Sequence, residues 1–173
     1  MRFKNLFFDR DGVINEVVIR ENGLVSSPRS LNEFKFKQDF LEFLPILKNL
    51  NLKTFVVSNQ PDVGRNLMNI NDLNEINKLI LNEYKFTEII CCTDSENSSP
   101  DKKPNPGMII TLINKYNLIP EESLMIGDMW KDIEAAKRSG LTSVFLENSH
   151  SVLNNSVPDF KINNLNELLT ILK

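Results

Sequence analysis

Five short apolar runs, separated by stretches with helical periodicity, limit this chain to a small set of folds. The runs are Leu6-Phe7-Phe8, Thr54-Phe55-Val56-Val57, Glu88-Ile89-Ile90-Cys91-Cys92, Leu124-Met125-Ile126 and Ser143-Val144-Phe145-Leu146. They are too short for helices and rich in β-branched and aromatic residues, which fits strands buried on both faces. Phe160-Lys161-Ile162 offers a sixth, weaker strand. Between the runs, Phe40, Phe43, Leu44, Leu47 and Leu50 share one side at helical spacing. Asn71 is expected to cap a helix reaching about Tyr84, with Glu75 favouring its amino-terminal dipole. Pro106 suits the first turn of a helix ending near Tyr116, and a helix over 131–139 would stop at Gly140. Residues 164–172 would supply a last amphipathic helix. Alternation of this kind predicts an α/β fold built on a mainly parallel, doubly wound sheet flanked by helices.

Length and charge narrow the partners. A chain of 173 residues, 41% hydrophobic and 25% charged, has the size and composition of one globular domain, so residues 1–173 are expected to form a single domain. A net charge of −3 argues against nucleic acid, whose backbone calls for a basic surface. No apolar run approaches the roughly 18 residues that span a bilayer. The segment before Asp9 reaches charge too soon for a signal-peptide core. The expectation is a cytoplasmic protein that binds neither nucleic acid nor membrane, and a monomer, since no heptad demands association. Cys91 and Cys92, the only cysteines, are adjacent; on a strand their thiols would point to opposite faces.

In an open parallel sheet, ligands sit beyond the carboxyl ends of the strands, and four runs here end in reactive groups. The first is followed by Asp9-Arg10-Asp11-Gly12-Val13-Ile14-Asn15, in which Asp9 and Asp11, separated by one residue, would face the same side of an extended chain. Two such carboxylates can share a cation and serve one reacting centre. The second run ends in Ser58-Asn59-Gln60, either a phosphate-binding strand end or a turn held by its own side chains. After the third comes Asp101-Lys102-Lys103-Pro104-Asn105-Pro106-Gly107, where Lys103 could present its ammonium to a phosphate. The fourth ends in Gly127-Asp128, with Asp132 four residues on. Asp128 is suited to hold magnesium, to cap a helix, or both. Two long connections, residues 13–37 and 93–106, interrupt the alternation, and long loops in compact domains often carry function.

In these four motifs the chain resembles the haloacid dehalogenase superfamily of phosphohydrolases: Asp9-Arg10-Asp11-Gly12, Ser58-Asn59, Lys103-Pro104, and Gly127-Asp128 with Asp132. More narrowly it looks like the branch of heptose 1,7-bisphosphate phosphatases and histidinol-phosphate phosphatases, through Asn15, Gln60 and Lys102-Lys103-Pro104-Asn105-Pro106-Gly107-Met108. The resemblance implies a Rossmann-like core without a large cap domain, with the two long connections shaping access to the site. It implies a magnesium-dependent phosphatase in which Asp9 is the nucleophile and Asp11 the general acid and base. Asp9, the main-chain carbonyl of Asp11, and Asp128 would hold the ion. Ser58, Asn59 and Lys103 would hold the phosphoryl oxygens, and Asp132 would orient Lys103 or a metal-bound water. Gln60, Lys102 and Arg65 would touch the substrate, with Arg20 and Arg29 as weaker candidates. That substrate is expected to be a small sugar phosphate, best guessed as heptose 1,7-bisphosphate. Histidinol phosphate is the alternative, and a non-catalytic phosphate-binding module a more distant one.

Two features depart from that branch. The stretch from Cys91 to Asp101 has no histidine and no second cysteine pair, so no structural zinc is expected. Lys102 also stands where the branch tends to carry arginine, whose planar fork lysine cannot reproduce. His150, the only histidine, lies in a polar, turn-like segment and reads as an exposed loop residue. Phe34 and Phe36 alternate with polar residues as a short strand would, and Trp130 could either touch substrate or pack beneath the site.

Overall fold

The computed structural model describes residues 2–173. In chain order the elements are β1 (Asn5–Phe8), β2 (Val18–Ile19), β3 (Val25–Ser26), α1 (Gln38–Asn49), β4 (Lys53–Asn59), α2 (Pro61–Gly64), α3 (Ile70–Glu83) and β5 (Glu88–Cys92). Then follow α4 (Gly107–Tyr116), β6 (Ser123–Gly127), α5 (Trp130–Arg138), β7 (Thr142–Leu146), β8 (Phe160–Ile162) and α6 (Leu168–Leu172). Six strands form one sheet in the order β5-β4-β1-β6-β7-β8, every pairing parallel. This is the expected doubly wound α/β sheet without a large cap, and all six expected strands are in it.

Side-chain alternation along the strands divides the core in two. Leu6 and Phe8 of β1, Val56 of β4 and Ile126 of β6 pack with Phe40, Phe43, Leu73, Ile76 and Leu168 on the face covered by α1, α3 and α6. Phe7, Phe55, Val57 and Met125 point the other way, onto Met108, Ile109, Leu112, Ala135 and Ala136 of α4 and α5. Phe7 stacks on Phe55 with ring centroids 4.9 Å apart. The cysteines follow the same rule, Cys91 against the first cluster and Cys92 within the second. Right-handed crossovers explain this placement: the chain winds outward from β1 through β4 to β5, then returns to β6 on the other side of β1, which puts α4 and α5 on the opposite face. The strand order reverses at β1, so its carboxyl end opens the crevice in which a ligand is expected.

Several local expectations are corrected. The α3 cap is Asn69, not Asn71; the Asn69 carboxamide oxygen accepts the Asn71 N–H at 2.8 Å. The last helix is split into a 3-10 turn, Leu165–Glu167, and a single α-turn. Phe34 and Phe36 form no strand of their own: Phe36 makes one bridge to Asn15, and both rings pack on the core. The connection 13–37 contains a small antiparallel ribbon, β2 with β3, turned at Gly23 with φ +77°. Arg20 braces this strap through two short bonds to Glu33, 2.7 and 2.9 Å. No helix among the described residues is long and apolar enough to cross a membrane.

Candidate active site

A cavity of about 410 Å³ opens over the carboxyl ends of β1, β4 and β6. Its lining includes Asp9, Asp11, Asn59, Lys102, Lys103, Asp128, Asp132 and His150, with Ser27 and Arg29 from the strap and Arg65 from the end of α2. Residues far apart in sequence meet here because Asp9 and Asp128 directly follow β1 and β6, Asn59 ends β4, and the connections after these strands and after β5 and β7 supply most of the others.

Asp9 sits at the floor. Its Oδ1 accepts the Arg10 N–H at 2.7 Å and lies 2.8 Å from the Lys103 ammonium, whereas no hydrogen bond from the described residues reaches Oδ2. Lys103 is buried and also lies 2.6 Å from Asp132 Oδ1. The other oxygen of Asp132 accepts the Met129 N–H at 3.0 Å, so Asp132 caps α5 while aiming Lys103. Burial pushes the Asp9 carboxyl up to about 7, against the pull of Lys103 and with help from Asp132 and Asp11. Burial alone would depress Lys103, yet Asp132 and Asp9 hold its pKa above the ordinary value. Burial raises Asp128 and Asp132 as well. In all three carboxylates desolvation by burial is the largest cause, and repulsion from a neighbouring carboxylate adds to it.

The same group of carboxylates fits a divalent cation. One oxygen each from Asp9, Asp128 and Asp132 lie within 4.8 Å of one another. With Lys103 counted, the group carries two formal negative charges in excess. Asp128 is 1% exposed, and its Oδ1 has no hydrogen-bond partner among the described residues, an arrangement that costs several kcal/mol for an ionised oxygen unless a cation faces it. Space for the carboxylate depends on Gly12, whose φ of +84° suits glycine and at which an added Cβ would collide with Asp128. All these donors are hard oxygens, as magnesium requires.

Asp11 lies in a contrasting environment. Its Oδ1 accepts from Arg10 Nε at 3.2 Å, Arg10 Nη2 at 3.1 Å and Asn15 Nδ2 at 2.9 Å; its Oδ2 accepts from Ser27 Oγ at 2.8 Å and Gln60 Nε2 at 2.6 Å. Burial would raise its pKa, but the Arg10 charge and the bonds from Asn15, Ser27 and Gln60 outweigh burial and hold it below the usual range.

Three expected substrate contacts are corrected or qualified. Gln60 is fully buried and does not line the cavity; its amide donates to Asp11 and, at 2.8 Å, to Ser58 Oγ. Ser58 is likewise buried beneath the cavity and absent from its lining. Asn59 does line it, but uses both ends of its carboxamide on the main chain of Lys103, donating to O and accepting from N–H at 2.9 Å each. Lys102 and Arg65 reach the cavity as expected residues of its wall, Lys102 bonded to Ser95 O and Arg65 to Asp62 Oδ1 at 3.3 Å. Arg29 also lines it, paired to Asp62 at 2.7 Å, whereas Arg20 is committed to the strap.

A family model described as haloacid dehalogenase-like hydrolase matches residues 8–146. The chain belongs to this family. The hydrolase is 30% identical over 160 residues to the D-glycero-alpha-D-manno-heptose-1,7-bisphosphate 7-phosphatase of Burkholderia mallei, across 84% of this chain and 80% of the relative. It is 29% identical over 140 residues to the beta-anomer 7-phosphatase of Helicobacter pylori, across 76% of each chain. A crystal structure of D,D-heptose 1.7-bisphosphate phosphatase from B. bronchiseptica, complexed with magnesium and phosphate, superposes with a TM-score of 0.80 at 20% identity, covering 98% of this hydrolase and 99% of that chain. Family and relatives together make the hydrolase a phosphatase acting on phosphoric monoesters.

Sequence reasoning missed several residues around this phosphatase site. Its expected exposed loop histidine, His150, is not exposed: the ring lines the cavity with Nε2 2.8 Å from Asp128 Oδ2, and its side chain is 13% exposed. The available signal was position, since His150 lies four residues beyond the last residue of β7, at the same end of the sheet as the other groups. Arg10, Asn15 and Ser27 were also passed over as partners of Asp11. Asn15 and Arg10 stood inside the recognised motif, but nothing in the sequence pointed to Ser27.

Proposed function

We propose that this phosphatase removes one phosphoryl group from D-glycero-D-manno-heptose 1,7-bisphosphate, releasing phosphate and heptose 1-phosphate by way of an aspartyl-phosphate on Asp9. The observation that carries the reading is the asymmetry of Asp9: one oxygen is held by the Arg10 N–H and Lys103, while the other receives no hydrogen bond from the described residues at the cavity floor. A carboxylate so oriented is ready for in-line attack.

In the first half-reaction Asp9 Oδ2 forms a bond to phosphorus as the bond to the sugar oxygen breaks, and that oxygen takes a proton from Asp11. In the second, Asp11 removes a proton from water as the water oxygen attacks phosphorus, and the Asp9–phosphorus bond breaks to release phosphate. Lys103, held by Asp132 and by Asn59, lies where charge on the phosphoryl oxygens needs a donor. Ser58 supports the site from below, through Gln60. Magnesium, held by Asp9, the Asp11 carbonyl and Asp128, would screen the repulsion between carboxylate and phosphate. The ionised, donor-rich Asp11 of this structure is suited to the base step. To act as acid it must carry a proton, whose hydrogen bond the Ser27 hydroxyl can accept by rotating and Asn15 or Gln60 by turning its carboxamide.

The basic residues of the cavity lining support a substrate with a second anionic group. Burial and the charges of Arg65 and Lys131 lower the pKa of Lys102, so three cations crowd one region of the lining. Neither Lys102 nor Lys131 pairs with a carboxylate among the described residues. The test is phosphate release from both heptose 1,7-bisphosphate anomers, histidinol phosphate and sugar monophosphates, with magnesium or with chelator. Magnesium-dependent preference for a heptose bisphosphate is expected. Preference for histidinol phosphate would keep the chemistry and refute the substrate; release unaffected by chelator would refute the metal.

A further inference from the structure

We propose that His150 is a positioning residue for the divalent cation, fixing Asp128 so that a single carboxylate oxygen faces the ion. The inference rests on the reading of Asp9 and Asp128 as cation ligands and goes beyond it, to a residue outside the recognised motifs.

The two oxygens of Asp128 have different environments. Oδ2 lies 2.8 Å from His150 Nε2, while Oδ1 is buried and has no hydrogen-bond partner among the described residues. An imidazole that donates from Nε2 occupies one oxygen and stops the carboxylate from rotating, which leaves the other oxygen to bind the ion. Magnesium takes monodentate oxygens in a strict octahedral shell, so an oriented carboxylate binds it better than a freely turning one.

The segment that carries His150 is pinned on both sides. Before it, the Asn148 carboxamide donates to Gly12 O at 3.0 Å and accepts from the buried Lys37 ammonium at 2.5 Å, and that ammonium also donates to Gly12 O at 3.0 Å. Within it, Ser151 N–H donates to Asn148 O at 3.1 Å, and Ser151 Oγ accepts the Asn148 N–H at 3.0 Å. After it, Val152 O accepts the Trp130 N–H at 2.7 Å, at the start of α5. The turn therefore joins the loop after β1, which carries Asp9, to the first residue of α5, two positions beyond Asp128. His150 projects from its middle onto Asp128. The acidic cluster does not include the imidazole, which fits an indirect role rather than ligation.

The experiment is Mn2+ binding to the purified protein, measured by electron paramagnetic resonance and by calorimetry, with Asp128→Asn as the control for the site. His150→Ala should weaken binding by about 10–100-fold, the usual effect of losing a group that orients a ligand. His150→Gln, which can place an N–H near the same oxygen, should restore most of the loss. Unfolding midpoints in chelator, where no ion contributes, should separate a weakened site from a disturbed fold. Wild-type affinity in His150→Ala would overturn the inference. Equal weakness in the Ala and Gln variants would overturn it too, since the loss would then follow from the disturbed turn. Directly coordinated nitrogen in the Mn2+ spectrum would replace positioning by ligation. If the wild-type protein bound no Mn2+, or Asp128→Asn bound it equally well, the cation reading itself would fail and this inference with it.

Discussion

Asp9 and Asp11 are separated by one residue and are driven in opposite directions. Burial among carboxylates raises Asp9 to about 7, whereas Arg10, Asn15, Ser27 and Gln60 overcome burial and hold Asp11 low. Carboxylates set apart in this way are suited to different tasks. Asp9→Asn, nearly isosteric, should keep the fold and lower kcat by about 10⁴-fold or more, as removing a nucleophile does. Asp11→Asn should lower it by about 10²–10⁴-fold, the range of general acid–base catalysis. Steady-state phosphate release measures both, and near-normal turnover in either variant would remove that residue's assigned role. At this scale the sequence was legible in which residues matter and much less so in what they touch. Gln60 and Asn59 have the right chemistry for a substrate, but their carboxamides serve Asp11 and Lys103 instead. Composition gives a side chain's hydrogen-bonding capacity, not its direction. His150 was missed for the same reason, because its partner lies 22 residues away in sequence and is brought close only by the sheet.

At the scale of elements, buried strands were readable because burial on both faces forces continuous apolar runs. The ribbon of β2 and β3 was not, since two strands of two residues each are too short to show a period. The Asn71 cap failed by two residues, within the usual uncertainty of helix ends. The edge of the sheet offers a test of its own. Asp159, just before β8, accepts from the Ser143 hydroxyl at 2.6 Å and its N–H at 2.8 Å, fastening β8 to β7. Burial opposes ionisation here, but the two Ser143 bonds prevail and depress the Asp159 pKa below its ordinary 3.8. A depressed folded value means that the stabilisation is complete above pH 3.8 and fades as pH falls through the folded pKa. Asp159→Ala should therefore lower stability at pH 7 by about 1 kcal/mol or less, given its exposure. In urea titrations that deficit should shrink toward pH 3; a deficit independent of pH would show that the charge is not involved.

At the scale of the molecule, the function depends on topology. One parallel sheet collects the ends of β1, β4 and β6 and the loop after β5 at a single crevice, and this much followed from the order of apolar runs and the groups behind them. The strap over 13–37 adds Ser27 and Arg29 to the wall, and the turn at 148–152 adds His150; neither carried a pattern by which its fold could be read. An overall acidic chain still gathers Arg65, Lys102 and Lys131 along one wall, which a net charge of −3 conceals.

The central claim is that catalysis passes through a phosphorylated Asp9. Rapid acid quench of the enzyme during turnover of a heptose bisphosphate, followed by peptide mass mapping, tests it directly, with the Asp11→Asn variant used to slow hydrolysis of the intermediate. An acid-stable, base-labile phosphoryl group on the peptide containing Asp9, more abundant in Asp11→Asn and absent from Asp9→Asn, is the predicted result. Phosphate released at full rate with no phosphoryl group on the protein at any time would contradict the account.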